Sequence, residues 1–243
     1  MYNNNLIEDE ALLHIVLERR PKYILINQED IQYFNNGLAS GASRDDRIPA
    51  VRRQIFTTML HTVIAKYSLG LPISELQEDF PAVIAACKEG WQNEFQDIHF
   101  DNYVLILWML SLGILLHVKT EEFEKIVSII DSSSRSDQFL DLLIRQKLPQ
   151  RNIAEYVLYP VQFSFLSEFI LTRDVHKLKQ RLEKKWYSSM KLTYWYDNHK
   201  NKLDVFFGYW SFESAAFVSI LNLDDSHLVD QKYYPYDLAH LKF

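Results

Sequence analysis

The longest apolar run of the chain is YVLILWMLSLGILLHV, which extends from Tyr103 to Val118. It spans 16 residues, whereas a helix that crosses a bilayer needs roughly 20 predominantly apolar residues. A helix that is apolar around its whole circumference is typical of the interior of a large soluble core. We therefore expect a buried helix here, surrounded by other elements of the protein.

The segments on both sides of this run also favour helices. Every fourth residue between positions 51 and 67 is apolar, and Gly70 follows as a stop signal. Residues 175–190 are amphipathic at the same spacing, whereas 23–26 and 192–196 look less helical. The chain has 6 glycines and 7 prolines in 243 residues, too few for the tight turns of an all-β protein. The sequence predicts an all-α fold of about ten helices.

A serine-rich segment at residues 131–136 is the clearest linker in the sequence. We expect an N-terminal helical region at 1–130 and a C-terminal helical region at 137–243, fused into one compact unit. The one cysteine, Cys87, lies in an apolar helical run and is expected to be buried. The lack of disulfides and of signal-peptide features predicts a cytoplasmic protein.

The formal net charge is −6, which makes the whole chain a poor partner for nucleic acid, because phosphates attract lysine and arginine. The charge is uneven along the sequence: residues 151–200 carry five acids and nine bases. An acidic surface can steer a basic partner, and it can equally serve solubility alone. Both interpretations stay open on composition.

Enzyme motifs are missing from the sequence. It contains no glycine-rich phosphate loop, no His-Glu-x-x-His helix, no paired-cysteine zinc pattern and no Gly-x-Ser-x-Gly elbow. The eight histidines are scattered. We therefore predict no catalytic residue, no metal site, no cofactor and no small-molecule substrate.

The densest polar and aromatic cluster lies between residues 186 and 237. Glu213 should face the core side of its helix, where a carboxylate needs a partner such as the His199 ring, a tryptophan N–H or a tyrosine hydroxyl. The expected structural polar network comprises Trp195, His199, Tyr209, Trp210, Glu213 and Tyr234.

Two functions remain possible on the residues alone. One is an all-α enzyme whose site combines Asp197, His199 and Glu213. The other is a helical nucleic-acid-binding module that uses the face at 173–191, where seven bases stand against two acids.

Several motifs resemble, in order, those of the PoNi immunity proteins, which protect bacteria from PoNe-type polymorphic DNase toxins. They are IAKYSLG at 64–70, DFP at 79–81, WY at 186–187, WYDNH at 195–199, GYWSFE at 208–213, DDS at 224–226 and YPYDL at 234–238. The resemblance implies an all-helical fold in two fused regions that binds and neutralises a cognate toxin in the cytoplasm without catalysis. The implied partner is a protein, with no nucleic acid and no membrane.

An acidic surface suits this function, because a DNase must present lysine and arginine to phosphates, and carboxylates can occupy that surface. We predict that the shared aromatic cluster holds the fold and that exposed acids contact the toxin. The predicted toxin contacts are Asp197, Asp224, Asp225 and Asp237.

Overall fold

A computed structural model describes residues 6–41, 47–91, 99–132, 136–201, 203 and 205–241. In these ranges the regular structure is helical and contains no β-strand, which confirms the predicted all-α class. With the continuous rod at 175–189 counted once, the described residues form ten α-helices. Half of the predicted serine-rich linker at 131–136, residues 133–135, lies outside the described ranges.

Contacts between Cα atoms divide the chain into two compact units. The first comprises Met1–Phe95 and Asp197–Gly208, and the second comprises Gln96–Tyr196 and Tyr209–Phe243. These boundaries differ from the division expected at 131–136, because the helices between residues 100 and 132 pack with elements that follow them. The sequence-based regions, 1–130 and 137–243, stay a prediction.

The first unit contains three long helices, α1 (Leu6–Ala39), α2 (Ile48–Ser68) and α3 (Ile73–Gly90). The α2 helix packs against both α1 and α3. At Gly90 a side chain would place its Cβ 2.8 Å from the backbone oxygen of Arg52, so glycine allows the close approach of α3 to α2. Cys87 on α3 is buried, as predicted.

The prediction that residues 23–26 are less helical is wrong, because they lie inside α1. Three of these four side chains, Tyr23, Leu25 and Ile26, are exposed apolar groups. They therefore do not follow the alternation of buried apolar and exposed polar residues by which a helix is recognised in sequence.

The short segment 197–208 belongs to the first unit through Phe207. Its ring stacks on His61 with a centroid distance of 4.0 Å, and its backbone oxygen accepts a hydrogen bond of 2.8 Å from Ser68 Oγ. Burial, with the nearby charges of Arg20 and Arg53, lowers the pKa of His61 well below its ordinary value. These effects favour the neutral form of the His61 ring.

The second unit is built around a buried helix, α4 (Phe100–Leu115), against which α5 (Thr120–Ser132), α6 (Gln138–Lys147) and α10 (Phe212–Ile220) pack. Every residue from Asn102 to Leu115 is buried, which confirms the expected core helix. Among the described residues, no helix has both the length and the apolar character needed to cross a bilayer.

The remaining helices of the second unit are α7 (Pro160–Thr172), α8 (Val175–Arg181), α9 (Tyr187–Ser189) and α11 (Tyr236–Ala239). A π-helical turn, Leu182–Trp186, joins α8 to α9 in one rod, so the helix predicted at 175–190 is confirmed. Residues 192–196 form turns, as expected.

Asp137 holds α4, α6 and the following loop together. Its Oδ1 accepts hydrogen bonds from the backbone N–H groups of Phe139 and Leu140 and from the Tyr103 hydroxyl. Its Oδ2 accepts one from the Leu158 N–H at 2.7 Å. Burial raises the pKa of Asp137, although these four donors act in the opposite direction.

Candidate functional site

Glu213 lies in the first turn of α10 with 1% of its surface exposed. Its Oε1 accepts hydrogen bonds from the indole Nε1–H of Trp186 at 2.8 Å and from Ser211 Oγ at 2.7 Å. Ser211 Oγ lies a further 2.7 Å from Ser214 Oγ. Burial raises the pKa of Glu213, and the two neutral donors only partly oppose this rise.

The tryptophan N–H that the sequence suggested as a partner of Glu213 is thus present, on Trp186. His199 belongs to the first unit, where its ring meets Phe206 edge-on at 6.2 Å. The residues of the alternative enzyme site are therefore divided between the units, because Asp197 and His199 lie in the first and Glu213 in the second.

A cluster of aromatic rings surrounds the Trp186 side chain. Trp195 packs against Trp186, Trp108 and Tyr209 with centroid distances of 6.1, 5.5 and 5.6 Å. Tyr233 also packs against Trp186, with a centroid distance of 5.1 Å. Rings at such distances add attraction to the burial of their large surfaces. These contacts favour the predicted structural role of Trp195 and Tyr209.

Trp210 is 8% exposed and precedes the Ser211 and Glu213 pair in the sequence. It comes directly before Ser211, the N-cap residue of α10. The motif GYWSFE therefore supplies both aromatic packing and the polar pair at the start of α10.

Asp225 is buried, with 2% of its surface exposed, so its expected exposure is wrong. Its Oδ2 accepts a hydrogen bond of 2.6 Å from the Tyr234 hydroxyl, and its Oδ1 lies 2.9 Å from His240 Nε2. His240 Nδ1 lies 2.9 Å from the backbone oxygen of Tyr236, which can only accept. These contacts of Asp225 tie the C-terminal segment to the unit.

Two of the four predicted toxin contacts, Asp224 and Asp237, are exposed. The Ser226 N–H donates to Asp224 Oδ1 at 3.0 Å, and this bond lowers the pKa of Asp224 together with the nearby His227 and His240. Asp237 lies in the first turn of α11.

The fourth predicted contact, Asp197, lies in the first unit and is half-buried. Its Oδ2 is 2.8 Å from Lys200 Nζ, so a neighbouring cation balances its charge. The structure does not bring Asp197 together with the two exposed acids in one compact unit.

The described residues contain no group of three or more His, Cys, Asp or Glu side chains that could hold a metal ion. The carboxylate oxygens of the buried acids in the second unit accept hydrogen bonds from groups of the same unit. Ser211 and Glu213 are at most 1% exposed, so a substrate has no access to this polar pair.

Sequence reasoning missed three features of the second unit. The first is Asp137, which caps α6 and accepts hydrogen bonds from four donors. The sequence indicated it only by its position before an apolar helical run. An ion-pair chain, in which Arg151 bridges Asp141 and Asp131 at 2.7 and 2.6 Å, joins residues far apart in sequence. The π-helical turn has no sequence signal in the amphipathic pattern.

Comparison with known families matches almost the whole chain to two family models. Residues 10–128 match the N-terminal part of the PoNe immunity proteins (PoNi), and residues 135–238 match the C-terminal part. This chain belongs to the PoNi family of immunity proteins. The matched ranges of this PoNi protein meet near the serine-rich segment at 131–136.

Among solved structures, this PoNi chain resembles protein PA2201 from Pseudomonas aeruginosa, with 17% sequence identity and a TM-score of 0.62. The match covers 92% of this chain and 95% of that chain. At this identity the likeness shows a shared fold and nothing about function. No curated protein matches the chain.

Substitution of Glu213 tests its buried state in this PoNi protein. A carboxyl whose pKa is raised on folding stabilises the fold below its unfolded pKa, near 4.5, and loses that contribution as the pH rises through the folded value. Glu213→Gln keeps an acceptor for Trp186 and does not titrate. We expect urea unfolding to show the stability of Glu213→Gln rising relative to wild type between acid and neutral pH.

Glu213→Ala is the matched control, because it removes the hydrogen-bond acceptor altogether. It leaves the Trp186 N–H buried without a partner, and we expect it to be roughly 2–4 kcal/mol less stable than Glu213→Gln at all pH values. A difference between Glu213→Gln and wild type that does not change with pH would contradict the raised pKa of Glu213.

Proposed function

We propose that this PoNi protein binds a cognate PoNe-type DNase toxin in the cytoplasm and inhibits it by stoichiometric protein–protein binding, without catalysis. The match of both PoNi family models along almost the whole chain carries this proposal. The internal use of the buried polar groups supports it, because Glu213 and Asp137 are occupied by core donors and leave function to the surface.

Fixed exposed carboxylates suit binding to a basic DNase surface. The Ser226 N–H already orients Asp224, so this charge loses little conformational freedom when a partner binds, and Asp237 stands exposed in the first turn of α11. Opposite charge on the toxin would speed encounter and orient the two proteins. We infer that Asp224 and Asp237 stand where DNA phosphates would otherwise lie on the toxin.

Protection of living cells tests the function itself. We expect bacteria that express the nuclease-type toxin domain encoded beside this gene to survive only when this PoNi protein is co-expressed, and the two proteins to co-elute. The measurement is colony counts followed by size-exclusion chromatography. Equal killing with and without this PoNi protein would contradict the proposal.

Removal of the two exposed charges tests the predicted contact. Asp224→Asn with Asp237→Asn keeps the side-chain oxygen that accepts the Ser226 N–H, so the fold should be unaffected. We expect the affinity for the toxin to fall about tenfold, chiefly through slower association at low ionic strength. Stopped-flow rates at two salt concentrations measure this effect.

The control is Glu124→Gln with Glu155→Gln, which removes the same charge from exposed sites elsewhere in the second unit. If both double variants bind equally fast, or if the association rate of the wild type does not depend on salt, the acidic contact is refuted.

A further inference from the structure

A groove with a volume of about 420 Å³ lies between α7 and the rod formed by α8 and the π-helical turn. Aromatic and aliphatic side chains, Phe165, Phe169 and Leu178, form part of its lining. Four cations also line it, namely Lys177, Arg181, Lys184 and Lys185. The groove thus combines an apolar wall with a basic wall inside one unit.

Only part of this positive charge is balanced locally. Lys177 Nζ pairs with Glu168 Oε1 at 3.1 Å, and Asp174 caps α8 by accepting the backbone N–H of Lys177. Within the described part of the chain, neither Lys184 nor Lys185 forms an ion pair. The groove therefore carries a net positive charge on a chain whose overall charge is −6.

The basic wall includes two lysines of the π-helical turn. Leu182 and Trp186 at its two ends are buried, whereas all three residues between them, Glu183, Lys184 and Lys185, are exposed. Two buried residues four positions apart lie on one face of a helix and leave the three residues between them on its outer faces. The hydrogen bond of Trp186 to Glu213 holds the backbone that carries both lysines.

Arg181 is held in place before any partner binds. Its guanidinium carbon lies 5.2 Å from the centre of the Phe165 ring, and its Nη2 donates to Ser189 Oγ at 3.2 Å. Burial lowers its pKa, which indicates partial removal from water. A fixed arginine stacked on an aromatic ring is typical of the residues that contribute most binding energy at protein interfaces.

The α7 side of the groove adds exposed apolar surface. Val161 and Leu171 are 80% and 85% exposed, and with Ser164 and Glu168 they follow helical spacing along one face. Exposed apolar side chains beside a basic groove are suited to a partner that presents apolar and acidic groups together.

We propose that the α7–α8 groove receives an amphipathic, carboxylate-bearing segment of the toxin. Lys184, Lys185 and Arg181 pair with its carboxylates, and Val161 and Leu171 cover its apolar side. The proposal rests on the proposed function for the identity of the partner. A protein segment with a few carboxylates fits this groove better than DNA, because a phosphate backbone extends beyond the groove, where the acidic remainder of the chain repels it.

The test reverses the two lysines. Lys184→Glu with Lys185→Glu is compared with Lys119→Glu with Arg145→Glu, which makes the same change in net charge at exposed positions of the same unit. The probe is the toxin domain against which this protein protects cells, with its Kd and dissociation rate measured by surface plasmon resonance. We expect the groove variant to bind roughly 10- to 100-fold more weakly, mainly through faster dissociation, and the control to bind like wild type.

A second variant, Leu171→Ser, keeps the test valid if the lysine variant has a lowered Tm. Leu171 is 85% exposed, so the fold does not depend on it, and we expect a several-fold loss of affinity for the toxin. Equal affinities of the groove and control variants would overturn the groove proposal while leaving toxin binding intact.

Two further outcomes would also overturn it. Absence of toxin binding by the wild type would remove the proposed function and the groove proposal together. Loss of binding to a short DNA duplex in the lysine variant, with toxin affinity unchanged, would assign the groove to nucleic acid instead.

Discussion

The second unit depends on one constraint, which is that a helix apolar on all sides must be covered on all sides. Residues 102–115 of α4 are buried without interruption, and α5, α6 and α10 provide part of this cover. Gly113 shows how close the cover is, because a Cβ there would lie 2.9 Å from a ring carbon of Phe123. Aromatic side chains, among them Trp195 and Phe212, fill the space beside Trp108.

This constraint decides what the polar core residues do. The elements that cover α4 must begin and end within an apolar environment, where an unpaired polar group is costly. Asp137 caps α6 beside Tyr103 of α4, and Glu213 joins α10 to the π-helical turn through Trp186. The carboxylate oxygens of both acids accept hydrogen bonds from donors on neighbouring elements. These acids therefore fix the positions of the helices relative to one another within the unit. The family membership and this arrangement together support a protein that acts through its surface.

Some of this could be predicted from the sequence, because it depends on local patterns. The buried helix follows from an apolar run of 16 residues, and the need of the buried Glu213 for a donor follows from the cost of burying a carboxylate, with a tryptophan N–H as one of three expected partners. The expected exposure of Asp225 failed because its neighbour Asp224 has the same chemistry, and only the fold brings Tyr234 and His240 to one of them.

Long-range packing could not be predicted in the same way. The assignment of residues 197–208 to the first unit depends on contacts of Phe207 with His61 and Ser68, more than a hundred positions away. The basic wall of the groove was recognised as a charged helical face, but its apolar counterpart on α7 was not. A helical repeat shows which residues share a face and does not show which other helix lies opposite.

The central claim is inhibition by stoichiometric binding, and a titration of the toxin's nuclease activity tests it most directly. Purified toxin domain at a concentration well above the Kd is mixed with increasing amounts of this protein, and cleavage of DNA is followed over time. The account predicts that activity falls linearly to zero near one equivalent and then stays constant with incubation. Progressive loss of toxin activity at substoichiometric amounts would indicate turnover, and an end point set by the DNA concentration would indicate competition for DNA; either result would contradict the account.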